Sequence, residues 1–228
     1  MRKYLIWDFD GTLGYRVGMW TGAMLEILRK NFPDRNVSPH QIRPFLQKGF
    51  PWHNPDHPHP EISTGDEWWN RLNPIFERAF MEGVGLGFQQ AKMLANQVRR
   101  IYPDPTYWRL YDDTLPTLNL LSNRGWRHLL LSNHVPELGD ILSALGIDQY
   151  FEKIYNSAET GYEKPHSEAF QRVLAAANDY SIIWMIGDNM QADIRGAEKV
   201  GLSSILVRKE HPEAKIYCEK LSQIAGLL

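Results

Sequence analysis

Short apolar runs recur along the chain, and each ends at polar or small residues. They read YLIW (4–7), RHLLLS (127–132), KIYNS (153–157), SIIWMIG (181–187) and SSILV (203–207). The runs are mostly continuous and do not alternate strictly between polar and apolar residues. Continuous runs are typical of strands that are covered on both faces, as in parallel sheets. The pattern therefore predicts a buried, mostly parallel sheet.

Segments with helical periodicity separate these runs. In PELGDILSALG, apolar residues from Leu138 to Leu145 fall at helical spacing, and Gly146 follows them as a stop signal. The segments TLPTLNLLSNRG, HSEAFQRVLAAA and MQADIRGAEKVG have the same character. Strands that alternate with helices predict an α/β fold with a doubly wound parallel sheet.

Residues 15–108 have a different pattern, with no predicted strand. Apolar residues from Trp20 to Leu28 mark one amphipathic helix, and DEWWNRLNPIFERAF and FQQAKMLANQVRRIY suggest two more. The tryptophans of this segment are expected mostly as core anchors, and a minority could line a pocket. We therefore expect an α/β core domain of residues 1–14 and 109–228, with an all-helical domain inserted after the first strand.

The composition limits the class of protein. The 228 residues carry a formal net charge of -2, which gives no sign of the basic face that nucleic acids or anionic membranes usually need. We expect neither a membrane span nor a signal peptide, because the first apolar run is short and ends at Asp8. The single cysteine, Cys218, excludes an intrachain disulfide and fits a reducing cytoplasm. The expected location is cytoplasmic, and the oligomeric state stays open.

Residues that can do chemistry come directly after the predicted strands. In an open parallel sheet, the reactive site lies at the carboxyl ends of the strands. These ends carry, in chain order, Asp8, Asp10 and Gly11, then Ser132 and Asn133, then Lys164, then Asp188, Asn189 and Asp193. We therefore expect four loops to bring these side chains together at one edge of the sheet.

This set of side chains has a coherent chemistry. Paired carboxylates can hold a hard divalent cation, and Mg²⁺ is the usual one where phosphate is present. One carboxylate can attack phosphorus and form an aspartyl phosphate, while a second one transfers protons. A hydroxyl, backbone amides and a lysine can hold the phosphoryl oxygens. Gly11 would let the backbone approach the phosphate, since it has no Cβ.

The motifs resemble those of the haloacid dehalogenase (HAD) superfamily of hydrolases. The four motifs of that family are matched, in the family's order, by DFDGTL (8–13), by Ser132 in LLLSN, by Lys164 in EKP and by GDNMQAD (187–193). The resemblance implies the family's α/β fold, with residues 15–108 in the place of a helical cap of the C1 type. It also implies a phosphatase that uses Mg²⁺ and acts on a small phosphorylated metabolite.

The resemblance also implies a role for each motif residue. Asp8 would be the nucleophile and Asp10 the general acid/base. Asp8, the backbone carbonyl of Asp10, and Asp188 would bind Mg²⁺. Ser132 and Lys164 would bind the transferred phosphoryl group. The other motif residues would support these roles. Gly11, Thr12 and Asn133 would help to bind the phosphate. Asn189 and Asp193 would support the metal site, and Asp193 would orient Lys164 or the water molecules of the metal.

The same fold carries other activities in the family. A haloacid dehalogenase lacks the second aspartate as acid/base and needs no Mg²⁺, so Asp10 and the GDN motif argue against that activity. A phosphonatase needs a lysine from the cap, and neither Lys48 nor Lys92 lies in a recognisable motif. A sugar phosphomutase stays an alternative. So does a binding or regulatory protein without activity, although the intact set from Asp8 to Asp188 counts against it.

Three features of the sequence stay open. The loop PWHNPDHPHPE (51–61) places three histidines between prolines, and we expect it to be stiff and exposed. A structural role is favoured, and a substrate-selecting loop or a metal site are the alternatives, because the spacing matches no known zinc pattern. Arg16 could touch an anionic substrate or form a hinge salt bridge. His134 could face the active site.

Overall fold

The strands form a parallel sheet, as the apolar runs predict. The computed structural model describes residues 2–62, 64–175, 177 and 182–228. Its strands are β1 (Lys3–Trp7), β2 (Gly14–Arg16), β3 (Trp108–Leu110), β4 (Trp126–Ser132), β5 (Phe151–Asn156), β6 (Ile182–Gly187), β7 (Ser203–Val207) and β8 (Tyr217–Cys218). Six of them form one sheet in the order β5-β4-β1-β6-β7-β8, with every neighbouring pair parallel. Ala176 and Ser181, which belong to a predicted helix and a predicted strand, lie outside the described residues.

Strand β1 lies in the centre of this sheet because its side chains are apolar on both faces. Leu5, Ile6 and Trp7 are completely buried. Trp7 is in register with Leu130 of β4 and Ile186 of β6. The residues that come after β1 therefore emerge in the middle of the sheet, between the carboxyl ends of its two neighbours.

Helices cover both faces of the sheet and form the inserted segment. They are α1 (Met19–Asn31), α2 (Pro39–Ile42), α3 (Gly65–Arg78), α4 (Phe88–Ile101), α5 (Thr114–Asn123), α6 (Leu138–Ala144), α7 (Ser157–Thr160), α8 (Ser167–Leu174) and α9 (Gly196–Lys199). Short π-helical turns span Ala79–Gly83 and Met190–Arg195. Within the described ranges, no helix has the length and apolarity that a bilayer span requires.

Helix α3 illustrates how the inserted segment is held. Its start is fixed by a capping box, in which the Thr64 hydroxyl accepts a hydrogen bond from the Glu67 amide and the Glu67 carboxylate accepts one from the Thr64 amide. One face then buries Trp68, Trp69 and Phe76, among others. The tryptophans at 68, 69 and 108 are almost fully buried, which matches their expected role as core anchors.

A small ribbon connects the inserted segment to the sheet, and it corrects one prediction. No strand was expected between residues 15 and 108, yet β2 and β3 pair antiparallel, with Tyr15 opposite Arg109. Three-residue strands are too short to give a recognisable pattern in the sequence. The predicted domain boundaries at 14/15 and 108/109 fall inside this ribbon, and the division into two domains stays a prediction.

Arg16 joins the two chain segments that enter and leave the insertion. Its buried guanidinium donates hydrogen bonds to the backbone carbonyls of Val17, Met19, Ile101 and Tyr102, at 2.9–3.1 Å. In the part of the chain that the structure describes, Arg16 forms no salt bridge and does not line the cavity at the sheet edge. Its contacts are therefore structural, and they hold the two segments together.

His128 is a buried histidine that the fold keeps neutral. Its Nδ1 accepts a hydrogen bond from the indole N–H of Trp7 at 2.9 Å, and its Nε2 lies 3.0 Å from the Ser122 hydroxyl. An indole nitrogen is only a donor, so Nδ1 carries no proton in this arrangement. Burial lowers the pKa of His128 from 6.5 to about 4.

This shift predicts how stability changes with pH. Between about pH 6.5 and pH 4, the unfolded chain takes up a proton at His128 that the folded chain does not, so stability falls as the pH falls. The expected loss from this residue is about 3 kcal/mol. Urea unfolding at pH 7 and pH 4.5 measures it. His128→Asn, which keeps an acceptor, should show a shallower dependence than the wild type, and an equal slope would contradict the assignment.

Candidate active site

The carboxyl edge of the sheet opens into a cavity of about 580 Å³. Predicted site residues from all four sequence motifs lie on its wall. They are Asp8, Asp10, Asn133, Lys164, Asp188, Asn189 and Asp193. The expected convergence of four loops at one edge therefore occurs. Gly11, Thr12 and Ser132 are close by but are not among the described residues that line the cavity.

Asp8 is held by two donors at one of its oxygens. Its Oδ1 accepts hydrogen bonds from the Ser132 hydroxyl at 2.9 Å and from the Lys164 ammonium at 2.8 Å. Its Oδ2 has a longer contact, 3.5 Å, with the hydroxyl of the buried Thr12. The carboxylate is thus fixed through one oxygen, while the other is less engaged by the residues that the structure describes.

Lys164 bridges two buried carboxylates. Besides Asp8, its Nζ contacts Oδ1 of Asp193 at 2.6 Å. Burial alone would lower the pKa of Lys164, but the charges of Asp193 and Asp8 outweigh it and raise the pKa, so the lysine stays protonated. Burial, reinforced by the charge of Asp8, raises the pKa of Asp193, although Lys164 pulls it down. The lysine therefore supplies a permanent positive charge beside Asp8.

The pKa of the Asp10 carboxyl is strongly raised. Burial of the group, followed by the negative charges of Asp8 and Asp188, raises the pKa of Asp10 to about 8. The carboxyl is consequently protonated near neutral pH and can donate a proton. A group of this kind, on the wall of a cavity, has the properties of a general acid.

Three carboxylates come close enough to share a cation. Oxygens of Asp8, Asp188 and Asp193 all lie within 4.8 Å of one another, and all three residues are buried. Burial and the charge of Asp8 also raise the pKa of Asp188, as expected for acids that repel one another. Hard divalent cations prefer such oxygen ligands, so the residues fit Mg²⁺. The expected ligands were Asp8, the backbone carbonyl of Asp10, and Asp188. The carboxylate of Asp193 is a further candidate ligand, because it belongs to the same close group as those of Asp8 and Asp188.

Gly11 is required by its surroundings in a way that the sequence did not indicate. It adopts φ +84°, a conformation that favours glycine, and a Cβ there would collide with the carboxyl group of Asp188. The glycine thus makes room for Asp188 to approach the end of β1. Its predicted contact with phosphate stays a prediction.

The two asparagines of the motifs organise the loops. Asn133 donates to the Lys164 carbonyl at 2.9 Å and accepts from the Lys164 amide at 2.7 Å. Asn189 accepts hydrogen bonds from the amides of Gln191 and Ala192 and so begins the turn that carries Asp193. Both side chains therefore position charged residues of the site.

Lys209 is a site residue that the sequence analysis missed. Its ammonium forms an ion pair with Oδ2 of Asp188. It stands two residues beyond the end of β7, at the same edge of the sheet as the motif residues. The signal for it is present in the sequence, because Lys209 comes shortly after the predicted strand SSILV, just as the motif residues come after theirs.

The proline-rich loop 51–61 is not exposed throughout, which corrects that expectation. His59 is buried, and its Nε2 lies 2.9 Å and 3.1 Å from the two carboxylate oxygens of the buried Glu163. His53 lines the cavity. Among the described residues, the group that could hold a metal ion is the aspartate set, and it includes no histidine of this loop.

His134 faces the cavity, a position that the sequence left open. The ring packs against Phe9 and Trp108, with centroids 5.6 Å and 5.1 Å away. Burial lowers the pKa of His134 to about 4, so the ring is neutral near pH 7. Neither ring nitrogen has a hydrogen-bond partner in the described ranges.

The comparisons with known proteins agree with the fold and the motifs. The family model for haloacid dehalogenase-like hydrolases matches residues 3–201. The chain therefore belongs to the haloacid dehalogenase-like hydrolases. The magnesium-bound HAD-hydrolase YfnB from Bacillus subtilis shares the fold, with a TM-score of 0.72 at 18% identity over 100% of this chain and 98% of that one.

Curated relatives match part of their own length. The haloacid dehalogenase-like hydrolase domain-containing protein 3 of Bos taurus is 28% identical over 150 residues, which cover 65% of this chain and 59% of that protein. The phosphoserine phosphatase of Thermus thermophilus is 34% identical over 155 residues, which cover 62% of this chain and 59% of that protein. The chain thus spans about three fifths of the length of these relatives.

Proposed function

We propose that the protein is a Mg²⁺-dependent phosphatase that hydrolyses a small phosphate monoester through an aspartyl phosphate on Asp8. The observation that carries the proposal is the arrangement of Asp8 on the cavity wall. Ser132 and Lys164 hold its Oδ1, and the other carboxylates lie close by. A relative with 34% identity is named a phosphoserine phosphatase, which supports a phosphatase class without identifying the substrate.

The proposed roles follow from charge and position. Asp8 attacks phosphorus in line with the leaving oxygen, and Asp10 gives its proton to the departing alkoxide. Asp10 then takes a proton from the water that cleaves the aspartyl phosphate. Ser132 and Lys164 position Asp8 and, in this proposal, also bind the phosphoryl oxygens with Asn133, Gly11 and Thr12.

Asp8, Asp188 and the carbonyl of Asp10 are the proposed Mg²⁺ ligands, with Asp193 and Asn189 as supporting residues. When bound, the ion would offset the negative charge that the carboxylates and the phosphate bring together. The close approach of Asp8, Asp188 and Asp193 supports this assignment. The cytoplasmic location and the expectation of no nucleic-acid or membrane partner stay predictions.

The test is release of inorganic phosphate from a panel of small phosphate esters and acetyl phosphate, with Mg²⁺ and with EDTA. We expect release with Mg²⁺, loss of nearly all activity with EDTA, and recovery when Mg²⁺ is added back. Release that EDTA does not change would contradict the metal dependence. No release from any compound would favour a phosphomutase or an inactive binding protein.

A further inference from the structure

Besides its carboxylates, the cavity has a set of lining residues that are apolar and largely aromatic. Trp20, Phe50, Trp52 and Tyr102, which we call the aromatic wall, line it together with Met19 and Leu46. All of these residues come from the inserted segment. A phosphate ester bound at Asp8 would therefore share its cavity with aromatic rings.

The rings of the aromatic wall are held by stacking on one another. Trp20 and Tyr102 are nearly parallel, with centroids 3.5 Å apart, and Phe50 and Trp52 are stacked with centroids 4.9 Å apart. Trp20, Phe50 and Tyr102 are mostly or fully buried, whereas Trp52 is half-buried. The indole ring of Trp52 is thus held in place by stacking, and part of its surface is exposed to a ligand in the cavity.

The loop that carries Trp52 is fastened to the loop that carries Lys164. His59 contacts both carboxylate oxygens of Glu163, the residue before Lys164. The amide of His59 also donates to the Gly161 carbonyl at 2.8 Å. A Cβ at Gly161 would collide with the backbone of Pro60, so the two loops are in close contact. The loop that carries Trp52 is therefore attached directly to the loop that carries Lys164.

The cavity offers little positive charge to a second anionic group. Of the described residues that line it, Lys164 is the one lysine or arginine, and its ammonium already contacts Asp8 and Asp193. Burial lowers the pKa of His53, so this ring adds no positive charge near neutral pH. Lys209, the other lysine described at this edge, is paired with Asp188 and does not line the cavity. A leaving group with a carboxylate or a second phosphate would therefore meet mostly aromatic rings and acidic residues.

We infer that the preferred substrate is a phosphate ester whose leaving group carries a flat, uncharged aromatic ring close to the ester oxygen, and that Trp52 selects it. This inference rests on the proposed phosphatase function and names its substrate class. Aromatic pairs gain energy beyond the burial of area, and a saturated ring of equal size on the same indole lacks this additional gain. The loop 51–61 is accordingly a substrate-selecting loop, one of the alternatives that the sequence left open.

The experiment compares two esters that differ in ring planarity. Benzyl phosphate and cyclohexylmethyl phosphate have rings of the same size on the same methylene linker. We expect kcat/KM for benzyl phosphate to exceed that for the saturated analogue by about fivefold, the scale of a stacking interaction. Phosphoglycolate, which carries a second anion, should be worse than benzyl phosphate by about tenfold or more.

Variants connect the preference to Trp52. Trp52→Leu should reduce the benzyl to cyclohexylmethyl ratio to about one, mainly through KM. The matched control is Trp184→Leu, because Trp184 is also half-buried but lies on β6 and is not among the cavity-lining residues. This control should keep the wild-type ratio. A wild-type ratio near one, an unchanged ratio in Trp52→Leu, or a preference for phosphoglycolate would overturn the inference.

A binding measurement separates this inference from the proposed function. If the wild type hydrolyses no ester, the phosphatase proposal fails, and calorimetric titration of Asp8→Asn with the two ring esters still tests the aromatic wall. Tighter binding of benzyl phosphate, lost when Trp52→Leu is added, would support the inference. Equal binding of the two esters would overturn it.

Discussion

Asp8→Asn should abolish phosphate release, with a loss in kcat of about 10⁴-fold or more. The amide has no carboxylate to attack phosphorus, so no acyl phosphate can form. The fold should survive, because the amide oxygen can still accept the hydrogen bonds that Ser132 and Lys164 donate to Oδ1. The measurement is single-turnover phosphate release, with circular dichroism and thermal unfolding to check the fold.

Asp140→Asn is the matched control for this variant. Asp140 is exposed on α6 and is not among the cavity-lining residues, so the same loss of charge there should leave kcat unchanged. Metal-dependent turnover near the wild-type rate in Asp8→Asn would show that another residue attacks phosphorus. The whole mechanism would then have to be reassigned.

Asp10→Asn should lower kcat for alkyl phosphates by about 10²–10⁴-fold, the usual contribution of a general acid or base. The raised pKa of Asp10, about 8, keeps the carboxyl protonated at neutral pH, which suits donation to a poor leaving group. A bound cation would lower this pKa towards neutrality, where one carboxyl can both donate and accept a proton.

The choice of substrate makes this variant informative. Acetyl phosphate has a good leaving group that needs little protonation, so Asp10→Asn should form the aspartyl phosphate from it at a rate near that of the wild type. The second step, attack by water, still lacks its base and should be slow. Equal losses in both steps for acetyl phosphate, or no loss with alkyl phosphates, would contradict the proton-transfer role.

The sequence predicts the fold and the site best where a reactive residue directly follows an apolar run. The apolar run before Asp8 predicts a buried central strand, and the structure has β1 there, between β4 and β6. The polar residues after each run are predicted to meet for the same reason, because parallel strands end at a common edge. The HAD family and the α/β fold are therefore evident from short segments of the chain.

Features that depend on contacts between distant segments could not be predicted from the sequence. His59 and Glu163 are 104 positions apart, and nothing local marks either as the partner of the other. The strands β2 and β3 have three residues each and form only because the insertion brings their ends together. The aromatic wall likewise depends on how α1 and the loop after Phe50 pack, which periodicity does not specify.

Detection of phosphorylated Asp8 would establish directly that this residue is the nucleophile. Asp10→Asn is mixed with acetyl phosphate and Mg²⁺, quenched in acid and digested, and the peptides are analysed by mass spectrometry. We expect one phosphate to accumulate on the peptide that contains Asp8 and to be absent when the Asp8→Asn substitution is added. Turnover with Asp8 unmodified, or a phosphate on another residue, would contradict the role of Asp8 as the nucleophile.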